Sequence, residues 1–333
     1  MESARVNFQS LDQQMAVFGI HDGNIKIIEE ALAVTISARD TYVEVAGEAE
    51  ATVAAAVSVL QSLQSIYRQG EPISSDVVYR MLQSVQDGDV EDTLIATKDV
   101  VALTYRGQPI KCKTIGQKNY VKALRENTVT VCIGPAGTGK TFLAVAVAVN
   151  ELKRGEIDRI IMSRPAIEAG DERLGFLPGD LAQKVDPYLR PLYDALNDML
   201  GPERVQRDLE KGVIEIVPLA YMRGRTLNRA RVIIDESQNA SLMTLKMALT
   251  RLGQDSKMIL TGDVTQVDLP QGGSGLESCA NILHSIDDIA VVRLNNRDVV
   301  RNRLVRDIVK AFEKYEQTQQ DKRPRSTTSR RTK

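Results

Sequence analysis

The chain has 333 residues, 43% hydrophobic and 26% charged, with 43 basic against 44 acidic side chains, an ordinary balance for a soluble globular protein of up to two domains. Its apolar runs, such as Phe142–Val149, fall far short of a membrane span, and the opening Met1-Glu-Ser-Ala-Arg5 has no apolar signal-peptide core, so the expectation is a cytoplasmic protein with no membrane partner. Three scattered cysteines (Cys112, Cys132, Cys279) and two histidines (His21, His284) give no basis for a disulfide frame, a zinc site or histidine-based catalysis.

The first elements in the chain are small. Gly19-Ile-His-Asp-Gly23 opens a helical stretch over Asn24–Leu32. Val34–Ser37 and Tyr42–Val45 read as short strands around the polar turn Ala38–Thr41, followed by an alanine-rich helix over Ala49–Tyr67 and another over Ser75–Val85. Residues 1–86 therefore read as a small α+β module. The polar segment 87–110 reads as a linker, and 111–316 as the core.

Ahead of the first core strand lies Thr114-Ile-Gly-Gln117-Lys-Asn-Tyr120. An amide at Gln117 can both donate to and accept from adenine, and Tyr120 can stack on it, which favours ATP over GTP. The competing reading is a polar helix start.

The strongest signal follows. Val129–Ile133 is a β-branched strand pattern, and after it come Gly134, Pro135, Ala136, Gly137, Thr138, Gly139, Lys140 and Thr141, a complete G-x-x-x-x-G-K-[ST] sequence. The apolar helix pattern Phe142–Val149 follows at once. Strand, glycine turn and helix in that order form a phosphate-binding loop: backbone N–H groups surround the phosphates and the new helix directs its positive end at them. Lys140 then reaches the β- and γ-phosphates, and the Thr141 hydroxyl ligates Mg2+.

Beyond the loop, further strand patterns fall at Arg159–Ser163, Val213–Val217, Arg231–Asp235, Lys257–Thr261 and Ala290–Leu294, alternating with helical ones such as Ala182–Leu200, Leu242–Leu252 and Asp298–Tyr315. Alternation of this kind predicts an α/β fold, a parallel sheet with helices on both faces and nucleotide at the carboxyl ends of the strands. Val232-Ile-Ile-Asp235-Glu236 places two acids at such an end, Asp235 to hold Mg2+ and Glu236 to polarise the attacking water. Leu260-Thr-Gly-Asp263-Val-Thr-Gln266 places Asp263 and Gln266 where they can sense the γ-phosphate. Residues 317–333 carry six basic side chains against Asp321 alone, and read as a solvated, disordered tail able to add salt-sensitive attraction to nucleic acid.

Together these features resemble the PhoH-like ATPases, relatives of the single-domain core of superfamily-one helicases, from about Thr104 to Tyr315. The more distinctive strings are Ser163-Arg-Pro-Ala-Ile-Glu-Ala-Gly-Asp-Glu-Arg-Leu-Gly-Phe-Leu-Pro-Gly-Asp180, Lys184-Val-Asp-Pro-Tyr-Leu-Arg-Pro-Leu-Tyr-Asp194, Pro218-Leu-Ala-Tyr-Met-Arg-Gly-Arg-Thr226, Asp235-Glu-Ser-Gln-Asn239 and Asp298-Val-Val-Arg301. Ser237 stands where alanine is usual, and Asn302 where histidine is usual. The resemblance implies a helicase-like P-loop NTPase core that hydrolyses ATP with Mg2+ and acts on RNA, as a helicase or as a remodelling motor beside a ribonuclease partner. It also implies that the N-terminal module is KH-like, a fold in which a glycine loop clamps RNA backbone. Here that loop, Gly19–Gly23, is one residue longer than G-x-x-G and carries Asp22.

A single core lacks the second domain that would supply an arginine to the developing charge. A ring-shaped homo-oligomer is therefore expected, with Arg164, Arg223, Arg225 or Arg301 acting in trans. The competing functions are a nucleotide-controlled switch that binds a protein partner and a small-molecule kinase, the latter disfavoured by Glu236, Asp263 and Gln266.

Overall fold

The structure, a computed structural model, describes residues 1–39, 42–88, 90, 94, 99–165, 181–267, 274–300, 305, 308 and 311, with the backbone alone at 181–188. The basic tail, Arg301 and the stretch 166–180 lie outside the described residues, as does the predicted closing helix beyond residue 300 apart from the isolated positions named; at its expected start Asp298 ends a 3-10 turn and Val299 is extended.

The N-terminal module runs β1 (Glu2–Asn7), α1 (Leu11–Phe18), α2 (Gly23–Leu32), β2 (Val34–Ala38), β3 (Tyr42–Gly47), α3 (Glu50–Arg68) and α4 (Ser75–Asp87). Its antiparallel sheet has the order β1-β3-β2. Strand β3 alternates buried Val43 and Val45 with half-exposed neighbours, the period-two pattern of a sheet with one covered face. Helix α3 covers that face with Val53, Ala56, Leu60 and Leu63. Neither β1 nor α1 is among the elements predicted from the sequence. In β1 only Val6 is buried, so its sequence carries no alternation.

Within the predicted linker lies a hairpin of β4 (Val100–Leu103) and β5 (Pro109–Lys111). Val101, Ala102 and Ile110 join the core of the second unit, so that unit begins near residue 100 rather than 111.

The second unit continues through α5 (Ile115–Glu126), β6 (Val129–Ile133), α6 (Lys140–Arg154), β7 (Arg159–Arg164), α7 (Leu181–Leu200) and α8 (Pro202–Glu210). Then come β8 (Ile214–Pro218), β9 (Ala230–Ile234), α9 (Leu242–Leu249), β10 (Lys257–Gly262), α10 (Gly275–Leu283) and β11 (Ile289–Arg293). The sheet order is β11-β6-β10-β9-β7-β8, with every pairing parallel. All six strands coincide with predicted ones to within a residue at each end.

Strand β6 is buried throughout because the sheet is covered on both faces. Cys132 packs on one side with Leu143, Ala144 and Leu192, while Val129, Val131 and Ile133 pack on the other with Leu245, Leu260 and Leu276. Arg231 of β9, fully buried, spans the first of these layers. Its Nε donates to Glu151 Oε2 at 2.7 Å, and its remaining nitrogens donate to the Leu124 carbonyl. Parallel strands bring their carboxyl ends to one edge, so the segments after β6, β7, β9 and β10 converge there.

Candidate nucleotide site

The loop Gly134–Gly139 joins β6 to α6. Gly137 and Gly139 have φ of +83° and +80°, a region in which a Cβ is strained. Gly134 needs to be glycine for a different reason: a Cβ there would lie 2.7 Å from Leu294 Cβ. The loop is tied down by neighbours on the same edge. Gly134 N donates to the Gly262 carbonyl at 3.1 Å, Ala136 N to Asp263 Oδ2 at 3.0 Å, and Thr138 Oγ1 to the Pro135 carbonyl at 2.9 Å. A cavity of about 310 Å³ opens beside it, lined by Ala136, Gly137 and Gly139–Phe142 on one side and by Asp235, Glu236, Asp263 and Gln266 on the other. The loop and the three predicted carboxylates thus share one space.

The Lys140 ammonium lies back on its own loop, donating to the carbonyls of Gly134 at 2.7 Å and Pro135 at 2.9 Å. Burial lowers its pKa, opposed by the charges of Asp263, Asp235 and Glu236. A buried cation whose acceptors are neutral carbonyls is poised for an anion.

Asp235, at the end of β9, accepts from Thr141 Oγ1 and from Thr261 Oγ1, each at 2.6 Å and both on Oδ1. Thr141 and Asp235 are therefore adjacent hard-oxygen donors, the set that suits Mg2+ bound by one or two protein groups and substrate phosphates. Glu236 follows in a left-handed conformation, φ +52°, which turns its carboxylate away from the strand and into the cavity.

Other residues in the site carry roles not read from the sequence. Gln238, wholly buried, donates through Nε2 to Glu236 Oε2 at 2.6 Å and to the Gln266 carbonyl at 3.0 Å, and accepts on Oε1 from Asp263 N at 3.1 Å. It links the acid pair after β9 to the segment after β10. The matched string Asp235–Asn239 contains it, but spacing alone assigns its amide no partner.

The arginine candidates divide. Arg164, at the end of β7, donates Nε to Asp235 Oδ2 at 3.1 Å and Nη2 to Glu236 Oε1 at 2.9 Å, so its guanidinium serves its own site. Arg225 pairs with Glu215 at 2.7 Å within the chain. Arg223 is exposed and makes no ion pair among the described residues.

Two adenine-reading assignments are corrected. Tyr120 is fully buried and its hydroxyl donates to the Lys140 carbonyl at 3.2 Å, so no ring face is open to a base. The Gln117 side chain is buried and engaged within the chain at both ends: Oε1 accepts from Lys113 N at 2.7 Å, and Nε2 donates to the Thr138 carbonyl at 2.9 Å. Both residues brace the phosphate loop from α5.

A parallel sheet with this loop after β6, facing an acid pair on the next strand but one, defines a P-loop nucleotide-binding protein. The family model described as PhoH-like protein matches residues 109–313, and the chain belongs to that family. It is 48% identical over 308 residues to a PhoH-like protein of Mycobacterium tuberculosis (strain ATCC 25618 / H37Rv), covering 92% of this chain and 86% of that one. With a PhoH-like protein of Bacillus subtilis (strain 168) it shares 48% over 305 residues, 91% of this chain and 95% of that one. Protein PhoH of Escherichia coli (strain K12) matches at 43% over 207 residues, 61% of this chain and 58% of that one. Among described residues no helix is long and apolar enough to cross a membrane, and no cluster of three His, Cys, Asp or Glu could hold a metal ion.

Proposed function

We propose that the chain hydrolyses ATP and couples hydrolysis to RNA bound by its N-terminal module. The carrying observation is the hydrogen-bonded series from Thr141 through Asp235 and from Glu236 through Gln238 to Gln266, which joins the phosphate loop to both acidic segments. Loop N–H groups and Lys140 bind the triphosphate, Lys140 exchanging two carbonyls for phosphate oxygens. Mg2+, when bound by Thr141 and Asp235, supplies charge neutralisation between the phosphates. Glu236 orients and polarises the attacking water. Gln266, held through Gln238, follows the loss of the γ-phosphate and passes it to the segment after β10. The choice of ATP rests on the likeness to the PhoH-like family rather than on Gln117 or Tyr120.

The RNA half of the reading rests on the Gly19–Gly23 loop between α1 and α2. Gly19 has φ +76°, His21 and Asp22 are also left-handed, and Ile20 is 87% exposed at the tip. Leu11 and Met15 lie exposed on α1 beside it, an apolar face next to a glycine loop as a KH-like clamp requires. Of the candidates that are described, Arg223, exposed and without an ion pair among the described residues, is best suited to reach a neighbour's site in a homo-oligomer, and Arg164 is the least suited.

Turnover measured with and without single-stranded RNA tests the coupling. Stimulation by RNA that is lost when Gly19 and Gly23 are replaced by aspartate supports it. Turnover and oligomeric state both indifferent to RNA would favour the second reading, a nucleotide-controlled switch for a protein partner. One observation suits that switch: Arg164 already neutralises both acids, a closed arrangement that nucleotide must open.

A further inference from the structure

A larger cavity, of about 810 Å³, lies between the N-terminal module and the core, walled by α4 on one side and by residues 108–119 and 293–300 on the other. Its volume falls in the range of about 300–1,000 Å³ typical of small-molecule sites.

Most of its charged lining has a local partner. Glu71 is paired with Lys111, Asp87 with Arg297 at 3.8 Å, and Arg293 with Glu277 at 2.7 Å. Asp298 accepts from Thr114 Oγ1 at 2.6 Å and from Asn295 N at 2.9 Å. Asp76 is exposed at the rim. Arg80 of α4 and Lys113 of the core feel the charges of Glu71 and Asp76 but make no ion pair with them. Arg80 makes no hydrogen bond or ion pair among the described residues, and its Nε is buried without an acceptor. Lys113 stands at the open side, and its ammonium likewise has no acceptor among the described residues. Burial lowers the pKa of both, and Arg80 lowers that of Lys113 further, against partial relief from Glu71 and Asp76. A half-buried guanidinium and a neighbouring ammonium at the open side, neither with an acceptor at hydrogen-bond distance among the described residues, offer donors that an anion can join.

We propose that this cavity binds a phosphate group between Arg80 and Lys113, at a site separate from the phosphate loop and shared by the two units. The site also touches the loop's support. Val300 lines the cavity, and its N–H donates to the Gly137 carbonyl at 2.9 Å, so an occupant bears on the segment against which the phosphate loop rests. A mononucleotide and the phosphodiester of a bound strand offer the same chemistry.

The test uses calorimetry on full-length Lys140→Ala protein, in which the phosphate loop has lost its cation. The probes are inorganic phosphate, cytidine monophosphate and a short single-stranded RNA with hydroxyl ends. One-to-one, salt-sensitive binding of at least one probe is expected, weakened about tenfold or more when Arg80→Met and Lys113→Met are added. Binding of phosphate or the mononucleotide assigns a small anion, and binding of RNA alone assigns the strand. Without any probe the added substitutions should change the melting temperature little, since the two cations repel each other and are attracted by Glu71 and Asp76. If they do lower it, Lys113→Glu alone, at the exposed side, gives the same readout by charge reversal. No saturable binding of any probe to Lys140→Ala protein, or binding unchanged by these substitutions, overturns the proposal.

Discussion

Arg164 Nη2 donates to Glu236 Oε1 at 2.9 Å, so the carboxylate assigned to polarise water is neutralised within its own chain before any nucleotide arrives. The same guanidinium holds Asp235 Oδ2 at 3.1 Å. Replacing Arg164 by methionine leaves two adjacent carboxylates facing each other. In magnesium-free buffer the variant should lose about 1–2 kcal/mol of stability, a figure discounted because Glu236 is partly exposed. Mg2+ should restore the melting temperature of this variant more than it raises that of the parent. Equal Mg2+ shifts in both would show that Arg164 and the cation do not compete for Asp235.

Glu236→Gln should keep nucleotide binding and slow hydrolysis by about 10²–10⁴-fold, the usual contribution of a positioned general base. Single-turnover measurements at saturating ATP check this directly. Undiminished hydrolysis would remove Glu236 from its role.

Gln238→Leu deprives the Asp263 N–H of its acceptor and Glu236 of a donor. A stability cost of about 1–3 kcal/mol follows from the unsatisfied groups. Because Gln238 lies behind the reacting groups, kcat should fall more than KM rises. A change confined to KM would place its role in substrate binding.

Tyr120→Phe removes one buried hydrogen bond to the Lys140 carbonyl and leaves the packing intact, so a loss of about 1 kcal/mol is expected in chemical denaturation. ATP and GTP affinities should move together. A selective loss of ATP binding would restore the stacking role that its burial rules out.

The three cysteines are buried, and burial pushes the thiol of Cys112 up to about 11 and that of Cys132 higher still. Folded protein at pH 8 should therefore resist alkylation, as read by intact mass. Raised folded values mean that stability is fully present below about 8.5, the ordinary thiol pKa. It is then lost progressively as pH rises through about 11 at Cys112. Rapid labelling of the native protein would contradict this.

The sequence made the parallel sheet legible because each of its strands is a short apolar run flanked by helical periodicity, and the phosphate loop because its glycines sit at fixed spacing. Strand β1, whose single buried residue is Val6, gives neither signal. The hairpin at β4 and β5 was hidden by the polar residues around it, though Val101 and Ile110 are core. Gln117, Tyr120 and Gln238 show a different limit. A polar side chain's chemistry is fixed by the partner it meets, and here each partner lies in another segment: Thr138, Lys140, and Asp263 with Gln266. Residue type can suggest an amide that reads a base. Only the fold shows that the amide is already occupied.

In the function proposed, main-chain amides of Gly134–Gly139 and the Lys140 ammonium grip a nucleoside triphosphate. Calorimetric titration of Mg-ATP into the intact protein and into Lys140→Ala tests it most directly. Saturable one-to-one binding that the substitution abolishes is the expected result, and no heat of association with the folded parent, or equal affinity in both proteins, would contradict it.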